Sequence, residues 1–136
     1  MHSRPILVVD DDDDVRNMLC AVLAAEGYSV VGAADGVEAL TRMRHDPPAL
    51  AVVDMMMPRM DGEELIRAMA QDAALVRVPV AIMSGQTTPT AATGPLPRVS
   101  ATLIKPFELD ELLTLVHRFA DPPERPGGSP QFVRGT

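Results

Sequence analysis

Five short apolar runs recur along the chain, and stretches with helical spacing separate most of them. Ile6–Val9, Tyr28–Ala33, Leu50–Val53, Val78–Met83 and Ala101–Ile104 are the runs, rich in β-branched residues. Continuous apolar runs of this length predict strands covered on both faces, as in a parallel sheet. After the first run, Val15, Met18, Leu19, Val22 and Leu23 recur at three- and four-residue spacing up to Gly27, which predicts a first helix. Asp35-Gly36 reads as a turn, Val37, Leu40 and Met43 mark a short second helix, and Pro47-Pro48 stops it. Leu65, Ile66 and Met69 follow a loop holding Pro58 and Gly62, and Leu112, Leu113, Val116 and Phe119 form the stripe of a last helix over Asp110–Ala120. Alternating strands and helices predict an α/β fold, a (βα)5 chain whose right-handed crossovers give a doubly wound, five-stranded parallel sheet.

One interval breaks the rhythm. Between Gln86 and Arg98, where a fourth helix belongs, stand Pro89, Gly94, Pro95 and Pro97. A proline in a helix interior costs about 3 kcal/mol, so this segment is expected to be a degenerate helix, mostly irregular. Residues 121–136 contain four Pro and three Gly among sixteen, which predicts a disordered tail after a single domain over residues 1–120.

Composition narrows the function. The net charge is −7, which argues against a nucleic-acid surface and suits a divalent cation or a basic partner. Aromatics make up 3% of the chain and Trp is absent, so the core must be aliphatic with methionine as filler. Cys20 stands alone within an apolar helical pattern, the place of a small core thiol. No stretch reads as a signal peptide or a membrane span, so a cytoplasmic location without membrane contact is expected.

The candidate chemistry lies where the strands end. Four runs stop at a distinctive polar residue: Asp10-Asp11, Asp54, Ser84 and Lys105. In a parallel sheet these ends share one edge, the edge where open α/β folds hold ligands. Clustered carboxylates repel one another unless a cation intervenes, and magnesium takes such oxygens while keeping several waters. A hydroxyl and an ammonium beside them can hold a phosphoryl group, and a carboxylate on the central strand can act as an aspartyl nucleophile. Other polar residues have ordinary readings. Asp12, Asp13 and Asp14 cap and solvate the first helix, and Asp61 before Gly62 is turn chemistry. Met55–Met57 pack, and His2, His45 and His117 lie on the surface.

The segments ILVVDDD, AVVDMMMPRMDG, VAIMSG and LIKPFELDEL, in that order, give the chain a specific likeness. From Pro5 to Ala120 it resembles the receiver domain of two-component response regulators, in the stand-alone form of the chemotaxis regulator. The resemblance implies a flavodoxin-like sheet of strand order 2-1-3-4-5. It also implies a phosphoacceptor that takes a phosphoryl group from a sensor histidine kinase or phosphotransfer protein, with no activity beyond self-directed phosphotransfer and autodephosphorylation. Asp54 would be the acceptor, with Asp10, Asp11, Asp54 and the Met56 carbonyl around Mg2+, or Mn2+ in its place. Ser84 would bind a phosphoryl oxygen, and Lys105 would pair with the phosphoryl group, before a bond to Pro106 that is often cis. Output would pass through an unidentified protein target, with a homodimer also open.

Two departures accompany the likeness. The family's aromatic switch position, three residues before the lysine, is Thr102, and the proline-rich segment stands where the fourth helix usually builds the output face. Altered readout through that segment is therefore expected. Two other readings compete. One is a receiver-like interaction module that is never phosphorylated. The other is a small phosphatase of the haloacid dehalogenase type, for which Asp11-x-Asp13-x-Val15 fits the opening pattern but leaves Asp54 unexplained.

Overall fold

A computed structural model describes residues 4–57, 59–85 and 99–120. The elements run β1 (Ile6–Val9), α1 (Asp13–Ala25), β2 (Val30–Ala33), α2 (Gly36–His45), β3 (Leu50–Asp54), α3 (Gly62–Ala70), β4 (Val80–Ser84), β5 (Val99–Ile104) and α4 (Leu109–Phe119). The sheet has the order β2-β1-β3-β4-β5 with every pair parallel, as the likeness implied. The expected degenerate helix between Gln86 and Arg98 and the expected tail over residues 121–136 lie outside the described residues.

Each strand supplies both faces. Leu7, Val9, Ala51, Val53, Val80 and Ile82 join a core under α2 and α3, completed by Leu40, Met43, Leu65, Ile66 and Met69. Ile6, Val8, Leu50, Val52, Ala81 and Met83 join a second core under α1 and α4, with Leu19, Leu23, Leu112 and Val116. This alternation explains the unbroken apolar runs, because successive side chains point to opposite faces and both faces are covered.

The helices begin where the chain offers acceptors for free N–H groups. Asp12 caps α1, accepting from the N–H of Asp14 at 2.9 Å and of Val15 at 3.1 Å. Gly27, at φ 99°, closes that helix in a left-handed turn open to glycine. Asp35-Gly36 and Asp61-Gly62 correct the sequence reading, since both are helix starts and not free turns. Asp35 accepts from the Glu38 N–H at 2.9 Å, and Asp61 and Glu64 form a reciprocal capping box. The buried stripe of α2 runs through Gly36, Ala39, Leu40 and Met43, so Val37 falls outside it and is 51% exposed. Met56 is a further correction. Met55 and Met57 pack against the core as expected, but the Met56 side chain is 79% exposed.

Candidate functional site at the carboxyl edge of the sheet

β1 and β3 are adjacent and in register, Val9 beside Val53, so their following residues emerge together at the sheet's carboxyl edge. Asp10, Asp11 and Asp54 meet there, with one carboxylate oxygen from each lying within 4.8 Å of the others. β4 continues the edge with Ser84, which is buried and faces Ile104 across the β4–β5 pair. The next residue, Lys105, donates its backbone N–H to the Ser84 carbonyl at 2.7 Å, so the two strand ends are tied. Lys105 reaches back over the sheet. Its Nζ lies 3.4 Å from Asp54 Oδ1 and 3.9 Å from Asp10 Oδ2. The Lys105–Pro106 peptide is cis. Among the described residues, the sequence-derived set of Asp10, Asp11, Asp54, Ser84 and Lys105 thus gathers along one edge.

The electrostatics of the cluster are unbalanced. Asp10 is 1% exposed and Asp54 5%, with the Lys105 ammonium facing both. Burial pushes the Asp10 carboxyl above its ordinary value, and the Asp54 and Asp11 charges add to this. A hydrogen bond from the Asp12 backbone and the Lys105 charge act the other way. Asp10 Oδ1 accepts that Asp12 N–H at 2.9 Å, while Oδ2 is buried with no hydrogen-bond partner among the described residues. A buried carboxylate oxygen without a partner is costly, and three converging carboxylates supply hard oxygen donors. The donor set therefore fits a hard divalent cation.

The loop after Asp54 is gripped from two sides. The Met56 N–H donates to Asp54 Oδ1 at 3.3 Å, which orients the carboxylate. A Cβ on Gly62 would stand 2.8 Å from Met55 Cα, and one on Gly36 would stand 2.7 Å from the Met60 carbonyl oxygen. Glycine is required at both close approaches. Arg59 has φ 62°, uncommon for a residue with a side chain, and its guanidinium pairs with the buried carboxylate of Asp35. Gly36 N–H also donates to the Met60 carbonyl at 3.1 Å. Asp35, Gly36 and Arg59 were missed as contributors to the site. Asp35 with Glu38 three residues on was legible as a helix cap, but nothing local announced its partner 24 residues away.

The surface histidines also gain detail. His117 is exposed, and its Nδ1 lies 2.6 Å from the hydroxyl of Tyr28, away from the carboxylates. Cys20 is half-buried against the α1–α4 core, and burial raises its thiol above the ordinary value, as suits a packing residue. Thr102 is exposed on β5, paired with Ile82. No helix among the described residues is long and apolar enough to cross a membrane.

Known proteins share this fold and much of the sequence that builds it. A family model described as "Response regulator receiver domain" matches residues 6–117. The chain is 40% identical over 109 residues to response regulator MprA of Mycobacterium avium, covering 79% of this chain and 47% of that protein. It is 33% identical over 117 residues to hybrid signal transduction histidine kinase D of Dictyostelium discoideum, covering 85% of this chain and 8% of that one. The chain therefore spans less than half the length of these curated relatives. Among solved structures, the chemotaxis protein CheY4 of Vibrio cholerae superposes with a TM-score of 0.79 at 29% identity, covering 87% of this chain and 99% of that one. A response regulator receiver protein from Pseudomonas putida gives 0.77 at 30% identity, covering 87% and 99%. The chain belongs to the response regulator receiver domain family of two-component signalling.

Proposed function

We propose that this receiver accepts a phosphoryl group on Asp54 from a histidine kinase or phosphotransfer protein, and signals by binding another protein. The observation that carries this reading is the approach of Lys105 Nζ to within 3.4 Å of Asp54 Oδ1, beside two further carboxylates. An Asp54 oxygen attacks the phosphorus of a phosphohistidine, the P–N bond breaks, and the imidazole leaves with the bonding pair. Lys105 neutralises a transferred phosphoryl oxygen, and the Ser84 hydroxyl donates a hydrogen bond to another. Asp10, Asp11, Asp54 and the Met56 carbonyl would hold a magnesium ion, or manganese in its place, which when bound offsets the charge of the phosphoryl group. Hydrolysis later returns Asp54 to a carboxylate as water attacks the phosphorus.

The product adds about two negative charges and three acceptor oxygens to the edge, which is enough to bias a two-state element. Thr102 offers no ring to swing, so the readout runs through the proline-rich segment between Gln86 and Arg98. Identical hydrogen exchange across residues 85–104 before and after phosphorylation would rule that route out.

The acceptor assignment is tested by intact mass after incubation with magnesium and acetyl phosphate. Wild type should gain one phosphoryl group, and Asp54→Asn should gain none. Absence of label on wild type would leave a purely interacting module. Label retained on Asp54→Asn but lost on Asp11→Asn would point to a phosphatase of the haloacid dehalogenase type.

A further inference from the structure

Gly32 lies inside β2, where a glycine weakens a strand and commonly marks the close approach of another group. The group here is Arg16 of α1. A Cβ on Gly32 would stand 3.2 Å from Arg16 Cδ and 3.4 Å from Cγ, so the arginine stem lies directly over the bare backbone. This passage brings the guanidinium to the loop between β1 and α1. There Nη1 donates to the backbone carbonyl of Asp10 at 2.7 Å, and Nη2 pairs with the Asp13 carboxylate. The Arg16 side chain is 17% exposed, whereas Asp13 is 76% exposed, so the inward bond to Asp10 is the better shielded of the two.

The bonded carbonyl belongs to the peptide that joins Asp10 to Asp11. With its oxygen held by a charged donor and the Asp10 N–H donating to the Ala33 carbonyl at 3.1 Å, the backbone is fixed on both sides of Asp10. That peptide plane sets the directions in which both side chains leave the backbone. We propose that Arg16, admitted over β2 by Gly32, is a positioning residue for the Asp10–Asp11 pair and thereby sets its affinity for a divalent cation. The inference rests on the cation-dependent receiver reading.

Charge alone predicts the opposite sign. A guanidinium near a cation pocket repels the incoming ion, so its removal should tighten binding if Coulomb repulsion were its main effect. Positioning predicts that removal weakens binding, on the scale of about tenfold seen when groups supporting metal ligands are lost.

The experiment measures Mn2+ binding by electron paramagnetic resonance of the free ion, on the full chain. Wild type is compared with Arg16→Met, Arg16→Lys and Gly32→Val, all below the metal-free melting transition of each. Arg16→Met keeps the stem and should weaken binding about tenfold. Gly32→Val disturbs the same bond from β2 by crowding the Arg16 stem, and should weaken binding comparably. Arg16→Lys keeps the charge without the planar fork, and should not restore wild-type affinity. Labelling of Asp54 by acetyl phosphate should recover in Arg16→Met at saturating Mg2+, a split that a general loss of structure would not give. Unchanged or tighter Mn2+ binding in Arg16→Met would overturn the positioning role while leaving the receiver reading intact. A wild type that neither binds Mn2+ nor takes label would overturn that reading and this inference with it.

Discussion

β3 and β5 both deliver a charged side chain to the same edge, yet they are built in opposite ways. β3 sits in the middle of the sheet and all five of its residues are buried. β5 lies at the sheet's edge, and Ser100 and Thr102 are exposed while Leu103 alone is fully buried. The partner of Ala81 is Ala101 while that of Val80 is Val99, so the β4–β5 register slips by one residue at Ser100. The loops that follow differ as well. Close glycine contacts and the Arg59–Asp35 pair hold the loop after β3, whereas β5 runs straight into the cis Lys105–Pro106 bond. The Asp54 carboxylate thus stands on a strand flanked on both sides in the sheet, and the Lys105 ammonium that approaches it stands on the edge strand of the described sheet.

The largest expected difference between the two strands comes from their cores. Leu50→Ala removes a fully buried side chain from β3 and should cost about 2–5 kcal/mol in urea unfolding. A loss under 1 kcal/mol would mean that the centre of the sheet is not the rigid part. The grip on the loop after β3 is probed by Gly36→Ala, whose methyl would meet the Met60 carbonyl oxygen at 2.7 Å. Overpacking of this kind should cost about 1–3 kcal/mol, and a stabilised variant would show the loop free to yield.

Glu38 probes the same region electrostatically. A hydrogen bond from the Ala34 backbone at 2.8 Å holds its carboxyl below the ordinary value, with burial opposing and Arg42 assisting. A depressed value means the folded state prefers the carboxylate, so the contribution is full above pH 4.5 and fades as pH falls through the lower folded value. Glu38→Gln should therefore be slightly less stable than wild type at pH 7, by under about 1 kcal/mol for an exposed pair. The gap should close on acidification, and a gap that widened in acid would contradict the bond. The smallest effect is expected on β5, where Thr102→Tyr changes an exposed side chain and should alter the unfolding free energy in urea by less than about 0.5 kcal/mol.

The same contrast explains what the sequence revealed. The central strands were legible because a strand buried on both faces must be continuously apolar, and the polar residue that ends it then stands out. Asp10, Asp11, Asp54 and Ser84 were readable for that reason, and Lys105 because the end of β5 before it, Leu103-Ile104, is apolar. The first residues of β5 were not, since Ser100 breaks an apolar run that an edge strand does not need. The start of β4 was placed two residues early, because Val78 is buried without being part of the ladder. The grip of Asp35, Gly36 and Arg59 on the loop after β3 was illegible for another reason. Each residue has an ordinary local reading, and only the folded chain brings them together.

The division of the interior by the sheet has a consequence for how this domain can change. Among the described residues the two cores share strands but no helices: α2 and α3 fill one, and α1 and α4 fill the other. Because adjacent positions on a strand face different compartments, the helix-borne walls of one can be rewritten while the other stays constant. A lineage could therefore vary one flank for new contacts without relearning how to fold the other. For a protein engineer, the undisturbed flank is an internal control.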